Sequence, residues 1–315
     1  MVTCPFFLYF TYMQIKPRLY LILFAFLLFL IDSVFVLNNS TQISFLIIVL
    51  ILFGVPHGAL DLYIDQHLNK STSNQKIFLL KYIANIIGYA LVWYYFPIAA
   101  LIIFILITAY HFGEIDWLGK TELVIHKMAY SAIGLLWILF LLSKNIHFAL
   151  QIFIRMERSA FNENQWVNLA HKIYPLTLIG LALIYFILFF FKSYFFSKNK
   201  YYFYSLIQQG ILISFAFFMP LWLCFAFYFG FWHSLLSFDK IRITFSMPND
   251  FNGWKNLLIK AAPFSIMAWF GFIYITFLTL NSKDASGIFT LLFISLSVLA
   301  LPHLQIFTKI KLKED

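Results

Sequence analysis

The sequence predicts an all-α, polytopic membrane protein of about ten spans in a single bundle, and three observations predict it. The 315-residue chain is 62% hydrophobic and only 11% charged, whereas a soluble domain is about 45–50% apolar and about 25% charged. Its mean hydropathy is +0.85, more apolar surface than one chain can hide from water. The apolar runs are also continuous for about twenty residues, the length of a membrane-crossing helix, and lack the alternating segments of about ten residues that a β-barrel requires. One membrane domain over residues 1–315 accounts for the whole chain.

The elements follow in order. A short tail to Arg18 precedes a first run, Leu19 to Leu37, which contains Asp32. This run is too long and apolar for the core of a signal peptide and lacks a cleavage site of small residues, so it is the first span. Asp32 either serves a function, snorkels to a neighbour or marks a wrong boundary. Asn38 to Thr41 connect tightly to a second run, Ile43 to Leu60, and a polar loop covers Asp61 to Lys76. The third run is Phe78 to Phe96. Pro97, a hairpin turn or a kink, leads into the fourth, which ends on Tyr110-His111-Phe112-Gly113. The fifth spans Val124 to Leu142. The interval 143–172 is the least apolar of the chain and is expected to hold a helix at the membrane interface. Runs six to eight are Ile173 to Phe191, Leu206 to Met219 and Leu221 to Phe238, the last two divided by Pro220. Lys240 to Asn256 read as a polar loop with turn formers. The last two runs are Ile259 to Leu280 and Phe289 to Phe307.

Loop charge orients this arrangement. With ten spans, both termini and the loops after even-numbered spans share one side. That side carries Lys16, Arg18, Lys70, Lys76, Lys120, Lys192, Lys198, Lys200, Lys240, Arg242, Lys255 and the C-terminal lysines. Short positive loops stay in the cytoplasm, so both termini are expected there, in an inner membrane. The same rule accounts for the net charge of +9 without nucleic acid, for which no basic patch or motif is present. Cys4 and Cys224 are too few and too far apart for a disulfide framework or a thiolate metal cluster.

Against this apolar background four of the eight histidines stand out. His57 lies in Gly54-Val-Pro-His-Gly-Ala-Leu-Asp61, His111 in Thr108-Ala-Tyr-His-Phe-Gly-Glu-Ile-Asp116, His233 in Gly230-Phe-Trp-His-Ser, and His303 in Leu301-Pro-His-Leu-Gln305. Spans two, four, eight and ten all run towards the cytoplasm, so the four histidines reach about the same depth. Ionisable groups in a bilayer are costly and usually serve a site. Imidazole suits iron, zinc and copper, and carboxylates often orient a liganding histidine through its second nitrogen. Asp61, Glu114 and Asp116 are placed for that task. The plain alternative is four interfacial histidines bonded to loops. His67, His147 and His171 fall in loops, and His126 at a helix start. Tyr110, Phe112, Phe231 and Trp232 flank the proposed ligands and are expected near a substrate; the other aromatics are expected in packing or against lipid. A weak repeat pairs a histidine with a following acid: His57 with Asp61, His111 with Asp116, His233 with Asp239. No HExxH, P-loop, GxSxG or dinucleotide motif occurs, nor do the clustered histidine boxes of desaturases.

On Pro56-His57-Gly58 with Asp61, His111-Phe112-Gly113 with Asp116, Trp232-His233-Ser234 and Pro302-His303, the chain resembles the Brp/Blh family of membrane β-carotene dioxygenases, over most of its length. That resemblance implies an iron(II) enzyme that cleaves the central double bond of β-carotene with dioxygen into two all-trans-retinal, which microbial rhodopsins receive. It implies that His57, His111 and His233 bind metal and that His303 is a further characteristic histidine. The chain departs from the family at Ser237, where a second metal-binding histidine usually follows the Trp-His-Ser motif by four residues. His303 completing the set, three histidines sufficing, or an altered activity are the alternatives. Two rivals accompany this reading: the same scaffold acting on another carotenoid, isoprenoid or lipid, and a non-catalytic carotenoid-binding or transport protein.

Overall fold

The structure, a computed structural model, describes residues 5–68, 74–117, 124–147, 149–150, 163–190, 202–280 and 285–310. The described residues are helices joined by short turns, without strands. Among the described residues, eight helices are long and apolar enough to cross a membrane, and two shorter apolar helices, Phe203–Phe218 and Phe293–Phe307, bring the total to ten. The protein is a multi-pass membrane protein. Its outer faces are apolar: Leu80, Ile83, Ile87 and Leu91 of one helix and Phe270, Tyr274 and Phe277 of another are all exposed. Polar groups lie inside, an inversion that only a lipid surround makes favourable.

Helix α1 (Pro5–Phe35) is longer than its apolar run. Arg18 does not sit in a tail but inside this helix, 8% exposed. Asp32 closes the helix: its carbonyl accepts the Val36 N–H at 2.8 Å and its carboxylate the Leu37 N–H at 3.2 Å. Val36 adopts a positive φ of 46°, a left-handed conformation that a β-branched residue tolerates only where neighbouring contacts hold it. Asn38 then caps α2 (Asn39–Val49) by accepting the Thr41 N–H.

The second span does not end with its apolar run. After α2 comes a π-helical turn, π1 (Leu50–Gly54), then α3 (Val55–Gly58) and α4 (Asp61–Leu68). The polar loop expected over Asp61 to Lys76 is therefore helical to Leu68, and residues 69–73 lie outside the described residues. Asn74 caps α5 (Gln75–Tyr95). Pro97, at the first position of α6 (Pro97–Asp116), makes a hairpin turn: α6 packs back on α5, and the Tyr89 hydroxyl donates to Ala100 O at 2.7 Å.

Helix α7 (Val124–Lys144) crosses next to α6. Their contact is backbone-close: a Cβ on Gly113 would lie 2.1 Å from Tyr130 O, and one on Gly134 2.1 Å from Ala109 O. Of the segment 143–172, residues 148 and 151–162 lie outside the described residues, and Glu163 to Lys172 form the first turns of α8 (Glu163–Phe190). Lys144 caps the end of α9 (Tyr202–Phe218), donating to the carbonyls of Ala216, Phe217 and Met219 at 2.6–3.2 Å, where a cation is favoured.

The eighth span is α10 (Leu221–Phe225), a second π-helical segment π2 (Ala226–His233) and α11 (Ser234–Thr244). The loop expected over Lys240 to Asn256 shrinks to residues 245–250, because α11 continues through Thr244 and α12 (Phe251–Leu280) starts early. Arg242 makes this possible: it is buried and bonded to Asp239 at 2.7 and 3.0 Å and to Met247 O at 3.0 Å, so its charge needs no water. The chain ends its described part with α13 (Ala285–Phe307) and a short turn.

Candidate metal centre

Both π-helical segments stand directly beside a proposed ligand. Pro56 has no N–H to continue an α-helical ladder, and the Val55 N–H instead reaches Leu50 O, five residues back. This widening turns His57 inward; single π turns of this kind are frequent at functional sites. On the other segment the Ser234 hydroxyl donates to Phe229 O, also five residues back, at 2.8 Å. The two segments cross in close contact. A Cβ on Gly230 would lie 2.0 Å from Val49 Cγ1, and one on Gly54 3.4 Å from the Phe229 ring. Glycine is therefore a packing requirement at Gly230, one that hydropathy does not reveal.

The four histidines meet. Their ring centroids form a closed circuit: His57–His233 5.2 Å, His233–His111 4.7 Å, His111–His303 5.4 Å and His303–His57 5.1 Å. Each adjacent pair is edge-to-face, with interplanar angles of 75–86°. All four are 1–6% exposed. Phe112 lies 4.6 Å from His233, Phe229 6.1 Å from His57, and Phe307 4.9 Å from His111, so aromatic rings wall the circuit.

Two of the four histidines have their tautomer set by a neighbour. His303 Nδ1 donates to Asp61 Oδ1 at 2.8 Å, and the other carboxylate oxygen accepts the Tyr82 hydroxyl at 2.9 Å. His303 Nε2 is then bare, and it is buried without a partner. The only proton of the Ser234 hydroxyl goes to Phe229 O, so Ser234 Oγ can only accept from His57 Nδ1, at 3.2 Å. His57 therefore keeps its lone pair on Nε2. Both nitrogens of His111 and Nδ1 of His233 are also buried without partners. Such groups are rare in folded proteins, and an ion is one of the few things that satisfies them.

The spacing agrees with a shared ion. A metal–imidazole bond of about 2.0–2.1 Å places ring centres about 3.2 Å from the ion and about 4.5–5.2 Å from each other at angles of about 90–109°. Three of the four observed spacings, 4.7, 5.1 and 5.2 Å, fall in that range, and the fourth, 5.4 Å, lies just above it. As the side chains stand, no three His, Cys, Asp or Glu donors among the described residues already converge on one point. The ring centres are in place, and the aim of the nitrogens is set by χ2, a soft torsion. Four imidazoles are a donor set of the kind that iron, zinc and copper prefer, and their rings would have to turn to bring the nitrogens onto one ion.

The carboxylates are distributed differently from the sequence pattern. Asp61, four residues after His57, serves His303. Glu114 pairs with Lys240 at 3.0 Å, and Lys240 Nζ lies 4.3 Å over Phe307. Asp116 accepts from the Tyr228 hydroxyl and Trp232 Nε1, both at 2.7 Å. Asp239 pairs with Arg242. Of the three acids in the repeat, only Asp61 is hydrogen-bonded to a histidine of the circuit. Ser237, one turn after His233, is fully buried with an unpartnered hydroxyl.

Among the aromatics, Phe112 is at the circuit. Phe231 lies among Phe24, Phe45 and Phe53 at 4.7–6.0 Å, and Trp232 is 0% exposed with its N–H committed to Asp116. Tyr110 is half-buried on α6. The reading from sequence missed Tyr82, Ser234, Phe229, Lys240 and Phe307. Only two carried a signal, Ser234 beside His233 and Phe307 one turn after His303.

No curated protein and no solved structure gives a significant match. The family model described as beta-carotene 15,15'-dioxygenase matches residues 48–311, a stretch that contains all four histidines and both π-helical segments. The match covers well over half of the chain and agrees with the resemblance to Brp/Blh-type proteins. The chain belongs to the beta-carotene 15,15'-dioxygenase family.

Proposed function

We propose that this protein binds iron(II) through His57, His111, His233 and His303 and cleaves the central double bond of β-carotene with dioxygen, releasing two all-trans-retinal within the membrane. The observation that carries the reading is the closed circuit of four buried imidazoles, three of which (His111, His233 and His303) have buried nitrogens without a partner. The family match supports the substrate and the class of reaction. Iron(II) held there would supply the redox chemistry by which dioxygen attacks a carbon–carbon double bond.

The chain's own residues bind, orient and exclude water. Asp61 and Tyr82 fix the tautomer of His303, and Ser234 that of His57, so both keep a lone pair on Nε2 for the ion. Phe112, Phe229 and Phe307 keep the surroundings apolar. This favours a polyene over water and protects an aldehyde product from hydration. Substrate and product both partition into the bilayer, so they enter and leave between helices. Holding one double bond beside the histidines is the protein's main contribution to rate and to the position of cleavage. In an inner membrane the retinal would pass to a microbial rhodopsin.

Metal analysis tests the assignment. Purified protein should carry iron near one per chain, and His57→Ala and His111→Ala should each lose it while still inserting in the membrane. Full iron occupancy in both variants would refute the ligand set.

A further inference from the structure

We propose that Arg18, on a helix outside the residues that match the family, is a positioning residue for the histidine centre: it sets the spacing of His111 and His233. The proposal rests on the reading of that centre as a metal site.

Arg18 Nη1 donates to Asp116 O and to Gln208 Oε1, both at 2.9 Å, and Nη2 donates to Ile115 O at 2.7 Å. Gln208 Nε2 adds a second donor to Asp116 O at 2.9 Å. These are the last carbonyls of α6, which have no partner within their own helix, and a cation is favoured there. The guanidinium thus clamps the end of the helix that carries His111. The Asp116 carboxylate then reaches the other histidine helix through Tyr228 and Trp232. The guanidinium carbon itself lies 5.7 Å over the Trp232 ring. Trp232 directly precedes His233, and Asp116 follows His111 by five residues. The pair this chain of contacts spans, His111–His233, is the most closely spaced of the circuit at 4.7 Å.

A greasy contact would join these helices at lower cost than a buried guanidinium in a bilayer. Capping alone does not require arginine either, since Lys144 caps α9 with an ammonium group. What arginine adds is a planar fork that holds two carbonyls and an amide at fixed angles while lying against an indole. That geometry is needed only if the relative position of α6 and π2 must be exact to a few tenths of an ångström, as it must where each contributes a ligand to one ion.

The test uses the purified full-length chain titrated with Co²⁺, whose visible absorption reports ligand number and geometry. Arg18→Lys keeps the charge and loses the fork; Trp232→Phe cuts the same chain from its other end. Each should weaken Co²⁺ binding by about tenfold or more and alter the visible band under conditions where the variant is still folded by circular dichroism. The double variant should be no worse than the more affected single variant, because both break one linkage. Lys144→Met, which removes a cap remote from the histidines, should leave the band unchanged. Arg18→Lys with the parent's affinity and spectrum overturns the proposal, as does an equal spectral change in Lys144→Met. If Arg18→Lys fails to fold, Trp232→Phe decides by the same criteria. A parent that binds no Co²⁺ overturns the metal reading and this proposal with it; a parent that binds while both chain-breaking variants bind equally well overturns the positioning role alone.

Discussion

With one oxygen on His303 and the other taking the Tyr82 hydroxyl, Asp61 decides which His303 nitrogen carries the proton. Asp61→Ala should weaken metal binding by about 10–100-fold, measured by titration of the metal-free protein, and Tyr82→Phe should do so less. Equal affinity in parent and Asp61→Ala would remove the carboxylate from the account of the centre. Glu114 is a different kind of residue: its pairing with Lys240 is a buried ion pair beside the ring of Phe307. Glu114→Gln leaves an ammonium group buried without its counter-charge and should cost about 3–5 kcal/mol of stability; replacing both partners by apolar residues should cost much less. Unfolding in detergent checks this, and a single variant as stable as the parent contradicts it. The four histidines were legible in sequence because an ionisable residue inside an apolar run is conspicuous. Their partners were not. Tyr82 is one of 18 tyrosines, and the pairing of Asp61 with His303, 242 residues apart, is set by tertiary packing.

At the scale of elements, the two π-helical segments and the glycines where helices cross do most to place the site. Gly230→Ala would bring a methyl group to 2.0 Å from Val49, and Gly113→Ala to 2.1 Å from a backbone carbonyl of Tyr130. Neither neighbour can yield without moving a helix that carries a ligand, so both variants should lose about 1–3 kcal/mol or more together with metal binding. Gly88→Ala and Gly210→Ala meet nothing within 4 Å and should be neutral or slightly stabilising, since alanine is the better helix former. Thermal unfolding of the four variants distinguishes the two groups; a uniform response would contradict the crossing geometry. Hydropathy located the spans, yet it misplaced their ends in a consistent direction. Arg18, Asp61 to Leu68 and Lys240 to Thr244 are polar stretches that remain helical because their charges are paired or capped within the protein. A scale that assigns every charge to water ends the helix too soon.

For the whole molecule, if the two shorter apolar helices cross as well as the eight long ones, ten crossings would put both termini on one side, which the positive-inside rule predicts to be the cytoplasm. Reporter domains fused at either terminus should therefore be active only in the cytoplasm, and a terminus that reports from the opposite face would require a different number of crossings. The arrangement delivers four histidines to one depth from helices α3, α6, π2 and α13, walls them with aromatic rings and leaves an apolar exterior through which a carotenoid can arrive. The most direct test supplies β-carotene and ¹⁸O₂ to the purified, iron-loaded protein in liposomes and identifies the products by mass. The expected result is retinal as the sole cleavage product, about two per β-carotene consumed, with heavy oxygen in both aldehydes when exchange with water is prevented. Iron-loaded protein that leaves β-carotene intact, or that yields aldehydes of other chain lengths, would contradict central cleavage at the four-histidine centre.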